Sequence, residues 1–263
     1  MTLGQYELLG RLGARVHGTR HGNEPPVVLL HGLTYDHRQW DTLIDELTAR
    51  EPDRLIVAFD LPGHGRSPDA ESCRPADIAL SVHRCLDAFG AAAPIVVGHS
   101  FGAVVATAYA AVHPAAGVVD IDQPLLAGAF AKRLGELEPV LRGPRWRDVW
   151  DEQLAAMGID ALPPRARELV RTATTPRQDL LLAYWRELLE ETPEELARRR
   201  TWQLRAIRGA GVDYTHVAGD EVPPLYARWL TALLPTARIV TLPGSGHFPH
   251  LLHPAVIADL LTV

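Results

Sequence analysis

The strongest chemical signature in the chain is the run Ile95-Val96-Val97-Gly98-His99-Ser100-Phe101-Gly102-Ala103-Val104-Val105. An apolar strand pattern enters a Gly-x-Ser-x-Gly pentapeptide, and a small-residue helical pattern leaves it. So sharp a turn strains the backbone of its middle residue. It leaves the Ser100 hydroxyl exposed above a helix N-terminus, whose dipole favours developing negative charge. The chemistry that fits is nucleophilic attack. The competing reading is a glycine-rich turn with a solvated serine, and the strand–turn–helix context weighs against it.

A serine at its ordinary pKa is a poor nucleophile and needs a base within hydrogen-bond reach. His247 answers that need. It sits in Pro243-Gly244-Ser245-Gly246-His247-Phe248-Pro249-His250, a glycine loop just after the last strand pattern. Such a loop lies over the C-terminal edge of a parallel sheet, on the serine's side. His247, His250 and His253 are spaced by three, which raises metal ligation. However, Pro249 and Pro254 interrupt the helix that would align them, and the glutamate of an H-E-x-x-H site is missing. No metal is expected.

The base needs an orienting carboxylate, and three residues compete. Asp220 follows the strand pattern Tyr214 to Ala218 and lies between serine and histidine in chain order, so it ranks first. Asp122 ends the pattern Val118 to Ile121 and ranks second, with Glu221 third. A tetrahedral intermediate also needs two donors. The expected pair is the backbone N–H of Phe101 and that of Leu33, in the loop His31-Gly32-Leu33-Thr34. The glycine-rich run Asp60-Leu61-Pro62-Gly63-His64-Gly65-Arg66-Ser67 lacks the Gly-Lys-Ser/Thr of a phosphate loop and reads as a structural turn beside the site.

The elements that must hold these residues alternate. Two short strands in the first 20 residues are broken by Gly10 and Gly13. Apolar strand patterns then recur at Val27 to Leu30, Leu55 to Phe59, Ile95 to Val97, Val118 to Ile121, Tyr214 to Ala218 and Arg238 to Leu242. Helical patterns fall between or after them: Trp40 to Arg50, Pro75 to Phe89, Phe101 to Val112, Pro224 to Leu234 and Pro254 to Leu261. Continuous apolar runs alternating with helices signify a parallel α/β sheet.

One stretch breaks the alternation. Residues 123–208 show only helical patterns, cut by Pro139, Pro144, Pro163-Pro164, Pro176 and Pro193. This stretch carries four of the six tryptophans and none of the twelve histidines. The expected organisation is a core of residues 1–122 and 209–263 with a helical cap at 123–208. Its tryptophans and leucines predict either an apolar pocket under a mobile lid or simply the lid's own core.

Composition excludes several classes. With 263 residues, 47% apolar and 22% charged, the chain is neither disordered nor too small to build a core. A net charge of −6 argues against a nucleic-acid binder. Cys73 and Cys85 are too few for a disulfide framework. No secretory h-region and no membrane-length apolar run appears, so the expectation is a cytoplasmic protein with no membrane partner.

Four segments together resemble the α/β-hydrolase superfamily: His31-Gly32-Leu33, Asp60 to Ser67, Gly98-His99-Ser100-Phe101-Gly102, and Gly244-Ser245-Gly246-His247-Phe248-Pro249. They come in that superfamily's order and cover nearly the whole chain apart from 123–208, which falls where the superfamily carries its helical cap. The resemblance implies an eight-stranded, mostly parallel sheet, a Ser–acid–His triad and no cofactor. Many members place the acid a few residues after a strand-ending glycine, whereas here Gly219 is followed at once by Asp220. Some draw it from the earlier strand, which keeps Asp122 in contention. Haloalkane dehalogenase-like and epoxide hydrolase-like members carry aspartate where this chain has Ser100, which argues against both. The expectation is a serine hydrolase of the carboxylesterase kind, acting on an ester or acyl lactone of a small, largely apolar substrate. The alternatives are a ligand-sensing receptor with slow hydrolysis, a peptidase or a C–C bond hydrolase.

Overall fold

The structure is a computed structural model that describes residues 4–19, 24–172 and 176–262. Eight strands form one sheet: β1 Gln5–Leu9, β2 Leu12–His17, β3 Val27–Leu30, β4 Ile56–Phe59, β5 Ile95–His99, β6 Gly117–Ile121, β7 Asp213–Ala218 and β8 Arg238–Thr241. Their spatial order is β1-β2-β4-β3-β5-β6-β7-β8. The β1–β2 and β2–β4 pairs are antiparallel and all others are parallel. The expected mostly parallel eight-stranded sheet is therefore present. Gly13, expected as a break, lies inside β2; the chain turns at Gly10 instead, where φ is 61°.

Twelve α-helices accompany the sheet among the described residues. They are α1 Asp41–Arg50, α2 Pro75–Phe89, α3 Phe101–Ala110, α4 Gly128–Leu141, α5 Trp146–Ala156, α6 Pro164–Thr172, α7 Gln178–Tyr184, α8 Arg186–Glu190, α9 Pro193–Ala210, α10 Pro224–Leu233, α11 Pro249–Leu252 and α12 Pro254–Asp259. The central strands are apolar on both faces because both are covered. Val28, Leu30, Val57 and Phe59 pack on the side of α2, α3 and α10. Val27, Leu29, Ile56 and Ala58 pack on the side of α1 and α12.

Between β6 and β7 the described residues hold helices α4 to α9 and no strand, as the sequence predicts. Pro164 and Pro193 start helices, where a missing N–H costs nothing. Pro139 does not cut its helix as expected. It lies in the last turns of α4, where it removes only one intrahelical bond. Among the described residues, no helix is long and apolar enough to cross a membrane. Cys73 and Cys85 are buried free thiols.

The strand order places a topological switch beside β3. The chain leaves β3 through α1 to reach β4 on one side, and leaves β5 through α3 to reach β6 on the other. The loops after β3 and β5 diverge there and open a crevice at the C-terminal edge.

Candidate active site

Strand register assembles the site. Leu30 pairs with Gly98, His99 with Ile121, and Ile121 with Val217. One step past these pairs, Ser100 and Asp122 share a level, and Gly32 comes level with them one strand over. Two backbone bonds continue the ladder: Ser100 N–H donates to the Ile121 carbonyl at 3.0 Å, and Asp122 N–H to that of Val217 at 2.7 Å.

Ser100 occupies the strained turn expected of it, with φ 52° and ψ −122°. A side chain at Gly98 would collide with the backbone of Gly102, and one at Gly102 with the backbone of Leu30. Only glycines let strand, helix and neighbouring strand approach so closely. Asp122 (φ 51°) and Thr34 (φ 72°) are also left-handed, so three of the four positive-φ non-glycine residues described lie at this edge. Such strain concentrates at functional sites.

His247 Nδ1 hydrogen-bonds Asp122 Oδ2 at 2.7 Å. The other Asp122 oxygen accepts the Gly219 N–H at 3.0 Å. Burial alone would raise the Asp122 pKa, but the bond and charge of His247 outweigh it and hold the group below the usual carboxylate range. An ionised Asp122 fixes the proton on Nδ1 and leaves Nε2 as the basic nitrogen. The structure thus brings the second-ranked acid, not the first, to the imidazole. Asp220 and Glu221 are exposed, and Asp220 reaches only the rim of the cavity.

Leu33 and Phe101 line the same cavity as Ser100, Asp122 and His247. The loop that carries Leu33 is braced by side chains the sequence reading left unassigned. Gln39 Oε1 accepts Gly32 N–H at 3.2 Å, and His64 Nε2 accepts Thr34 N–H at 2.9 Å. The amides on either side of Leu33 are therefore occupied, while its own has no protein acceptor among the described residues. His31 and His64 act as fixed neutral struts. His31 accepts Leu61 N–H and donates to the Gly32 carbonyl, and His64 donates to the Pro62 carbonyl. Burial lowers the pKa of His31 and, with the nearby His31, pushes His64 down to about 3. A side chain at Gly32 would press within 2.9 Å of His99 Nδ1 and 3.3 Å of Ser100 Cβ, so this approach too requires glycine.

The His247 loop is held from below. His99 Nε2 donates to the His247 carbonyl at 2.7 Å. Burial, aided by His250 and His247, keeps His99 far below the usual imidazole range. His250 is fully buried, its ring 4.9 Å from Trp40 and 4.4 Å from His99. His253 caps α12 by position but without a side-chain bond. The histidines spaced by three thus serve separate purposes.

The converging metal-ligating group among the described residues is elsewhere: Asp36, His37 and Asp60. Its carboxylates already have partners. Asp36 pairs with Arg38 at 2.7 Å, while Asp60 accepts from Tyr6, from the ring and amide of His37, and from Arg66 N–H. Burial would raise the Asp60 pKa, but the His37 and Tyr6 bonds overcome it and depress the group strongly. This web ties β1, the β4 loop and the 3₁₀ turn at His37–Trp40 together.

The cavity measures about 520 Å³, within the usual range for small-molecule sites. Its far wall comes from the 123–208 stretch. Trp150 and Trp185 line it with ring centroids 6.2 Å apart, while Trp202 is 55% exposed on α9. Tyr184 packs edge-on to Phe101 and donates to the Pro62 carbonyl at 2.7 Å. The insertion's aromatics therefore serve both readings, pocket wall and helical core.

Residues 27–260 match the model of the alpha/beta hydrolase family, and the chain belongs to that family. A polyketide synthase, ThaQ of Burkholderia thailandensis, is 29% identical over 99% of this chain and 13% of its own length. The putative carbamate hydrolase RutD of Escherichia coli is 27% identical over 92% of this chain and 87% of its own. A hydrolase structure from Pseudomonas aeruginosa superposes with a TM-score of 0.76 at 17% identity, covering 98% of this chain and 96% of that one. The chain spans less than half the length of several curated relatives it matches.

Proposed function

We propose that this protein is a serine hydrolase of the carboxylesterase kind, cleaving an ester-like bond, a carboxylic ester or acyl lactone, in a small and largely apolar molecule. The observation that carries this reading is the Asp122–His247 bond of 2.7 Å at the wall of the cavity that also exposes Ser100. His247 Nε2 takes the Ser100 proton as Oγ attacks the carbonyl carbon. The Leu33 and Phe101 N–H groups hold the oxyanion. His247 then returns the proton to the leaving oxygen. Water, activated by the same imidazole, hydrolyses the acyl-enzyme. Asp122 remains ionised throughout and stabilises the imidazolium. Residues 123–208 act as a cap, supplying the apolar wall that selects the acyl group. The likeness to a putative carbamate hydrolase over most of the chain supports attack on a carbonyl carbon.

Ser100→Ala tests the reading. It should abolish turnover of p-nitrophenyl esters and labelling by a fluorophosphonate, with the thermal unfolding midpoint nearly unchanged. A variant that keeps its turnover would remove Ser100 from the mechanism.

A further inference from the structure

One charged pair is built into an otherwise apolar region of the cavity wall. Arg200 of α9 and Glu187 of α8 both line the cavity and are only 5% and 6% exposed. Arg200 Nη2 donates to Glu187 Oε2 at 3.2 Å, and Nη1 donates to Gln203 Oε1 at 2.9 Å. Burying an ion pair costs desolvation that its Coulomb attraction scarcely returns, and apolar residues of like volume commonly hold a fold as well. Stability alone is a weak reason for such a pair beside a binding cavity.

The pair belongs to a wider network of charges. Three guanidinium groups surround the Glu187 carboxylate: Arg199 at 2.8 Å, Arg200 at 3.2 Å and Arg74 at 4.0 Å. Of these, Arg200 hydrogen-bonds it, while Arg74 and Arg199 also pair with Glu190 and Glu191. A guanidinium carries five N–H donors, and Arg200 has one carboxylate and one amide oxygen to satisfy them. Arg200 thus carries more N–H groups than these two bonds use, and it lines the cavity. The carboxylate of Asp122 is already engaged by His247 and Gly219. Burial lowers the Arg200 pKa, as for a cation whose surroundings compensate it incompletely.

We propose that Arg200 recognises an oxyanionic group, such as a carboxylate, at the non-reacting end of the substrate, with Glu187 and Gln203 orienting the guanidinium. The substrate class becomes an ester or lactone with an apolar middle and an anionic tail. This assignment rests on the reading of Ser100 as nucleophile. A wholly apolar tail would strip water from guanidinium donors and give nothing back.

Binding to the Ser100→Ala protein tests the idea without turnover. Calorimetry would compare monomethyl esters of straight-chain dicarboxylic acids with methyl esters of monocarboxylic acids of the same length, across a series of lengths. At the fitting length the charged-tail member should bind at least about tenfold tighter, the scale of a charge-assisted hydrogen bond. Arg200→Met in that background should erase the preference. Arg200→Lys should restore part of it, keeping the charge but losing the planar fork. In the Ser100 protein, the same preference should appear in kcat/KM for matched p-nitrophenyl esters and reside mainly in KM. Equal affinity at every length, or a preference that survives Arg200→Met, would overturn the proposal. Should Arg200→Met fail to fold, the parent preference and its weakening in Arg200→Lys decide. Turnover that persists in Ser100→Ala would sink the nucleophile reading alone, because the binding comparison does not depend on it.

Discussion

The bend after β7 separates Asp220 from the row that brings Asp122 to His247. Pairing of Ile121 with Val217 sets Asp122 level with Ala218. Asp220 follows two residues later, in the bend beyond the strand, where it is exposed. Asp122→Asn should therefore lower kcat on ester substrates by on the order of 10³–10⁴-fold, because the amide no longer fixes the Nδ1–H tautomer. Asp220→Asn should change kcat by less than ~3-fold, as expected of an exposed residue away from the imidazole. Steady-state kinetics of the two variants decides, and a larger loss in Asp220→Asn would reverse the assignment. Ser100, His247 and Leu33 could be proposed from the sequence because each sits in a local pattern that dictates its own backbone, and all three line one cavity. Chain order ranked Asp220 ahead of Asp122, whereas which carboxylate meets His247 depends on which strands pair and in what register. That is a long-range fact with no local signature. The bracing by His64 and His99 was hidden for the same reason, since each acts on an amide or carbonyl distant in the chain.

At the scale of elements, β3 to β6 were readable from apolar runs, since a strand covered on both faces has no reason to alternate. Boundaries shifted by a residue or two where helices ended early: α3 stops at Ala110 and α12 at Asp259. The 123–208 stretch was readable as helical, but the use of its tryptophans was not. Periodicity shows that a side chain is buried, not whether it is buried against its own helices or against a cavity. Trp150 and Trp185 face the cavity and Trp202 does not line it. Covalent modification of Ser100 by a bulky fluorophosphonate should therefore shift the emission of Trp150 and Trp185, and Trp202→Phe should leave that shift unaltered. An emission spectrum that stays the same on labelling would count against these helices closing over the bound acyl group. A shift lost in Trp202→Phe would place the movement on the outer face of α9 instead.

Across the whole molecule, the sheet edge that carries the site is framed by imidazoles that the fold keeps neutral. His31, His64, His99 and His250 are each 4% exposed or less. Burial lowers all four, His64 and His250 to about 3. In the unfolded chain these groups titrate near 6.5. Below that pH the unfolded chain binds protons that the folded one refuses. Their contribution is thus complete above about 6.5 and is lost progressively as pH falls towards about 3. His216 works in the opposite sense. Burial lowers its pKa, but the buried Asp120 beside it raises the net value, so its contribution is kept in mild acid. The depressed carboxylates Asp60 and Asp122 weaken the fold only once pH drops below about 4. The unfolding free energy, from urea titrations, should therefore decline already between about pH 6.5 and 5, by roughly 2 kcal/mol each for His64 and His250. His250→Phe preserves a ring between Trp40 and His99 and should flatten that decline by one imidazole's share. A stability that holds level down to about pH 5 would mean that protonated imidazoles are tolerated inside, and the neutral framing of the site would have to be abandoned.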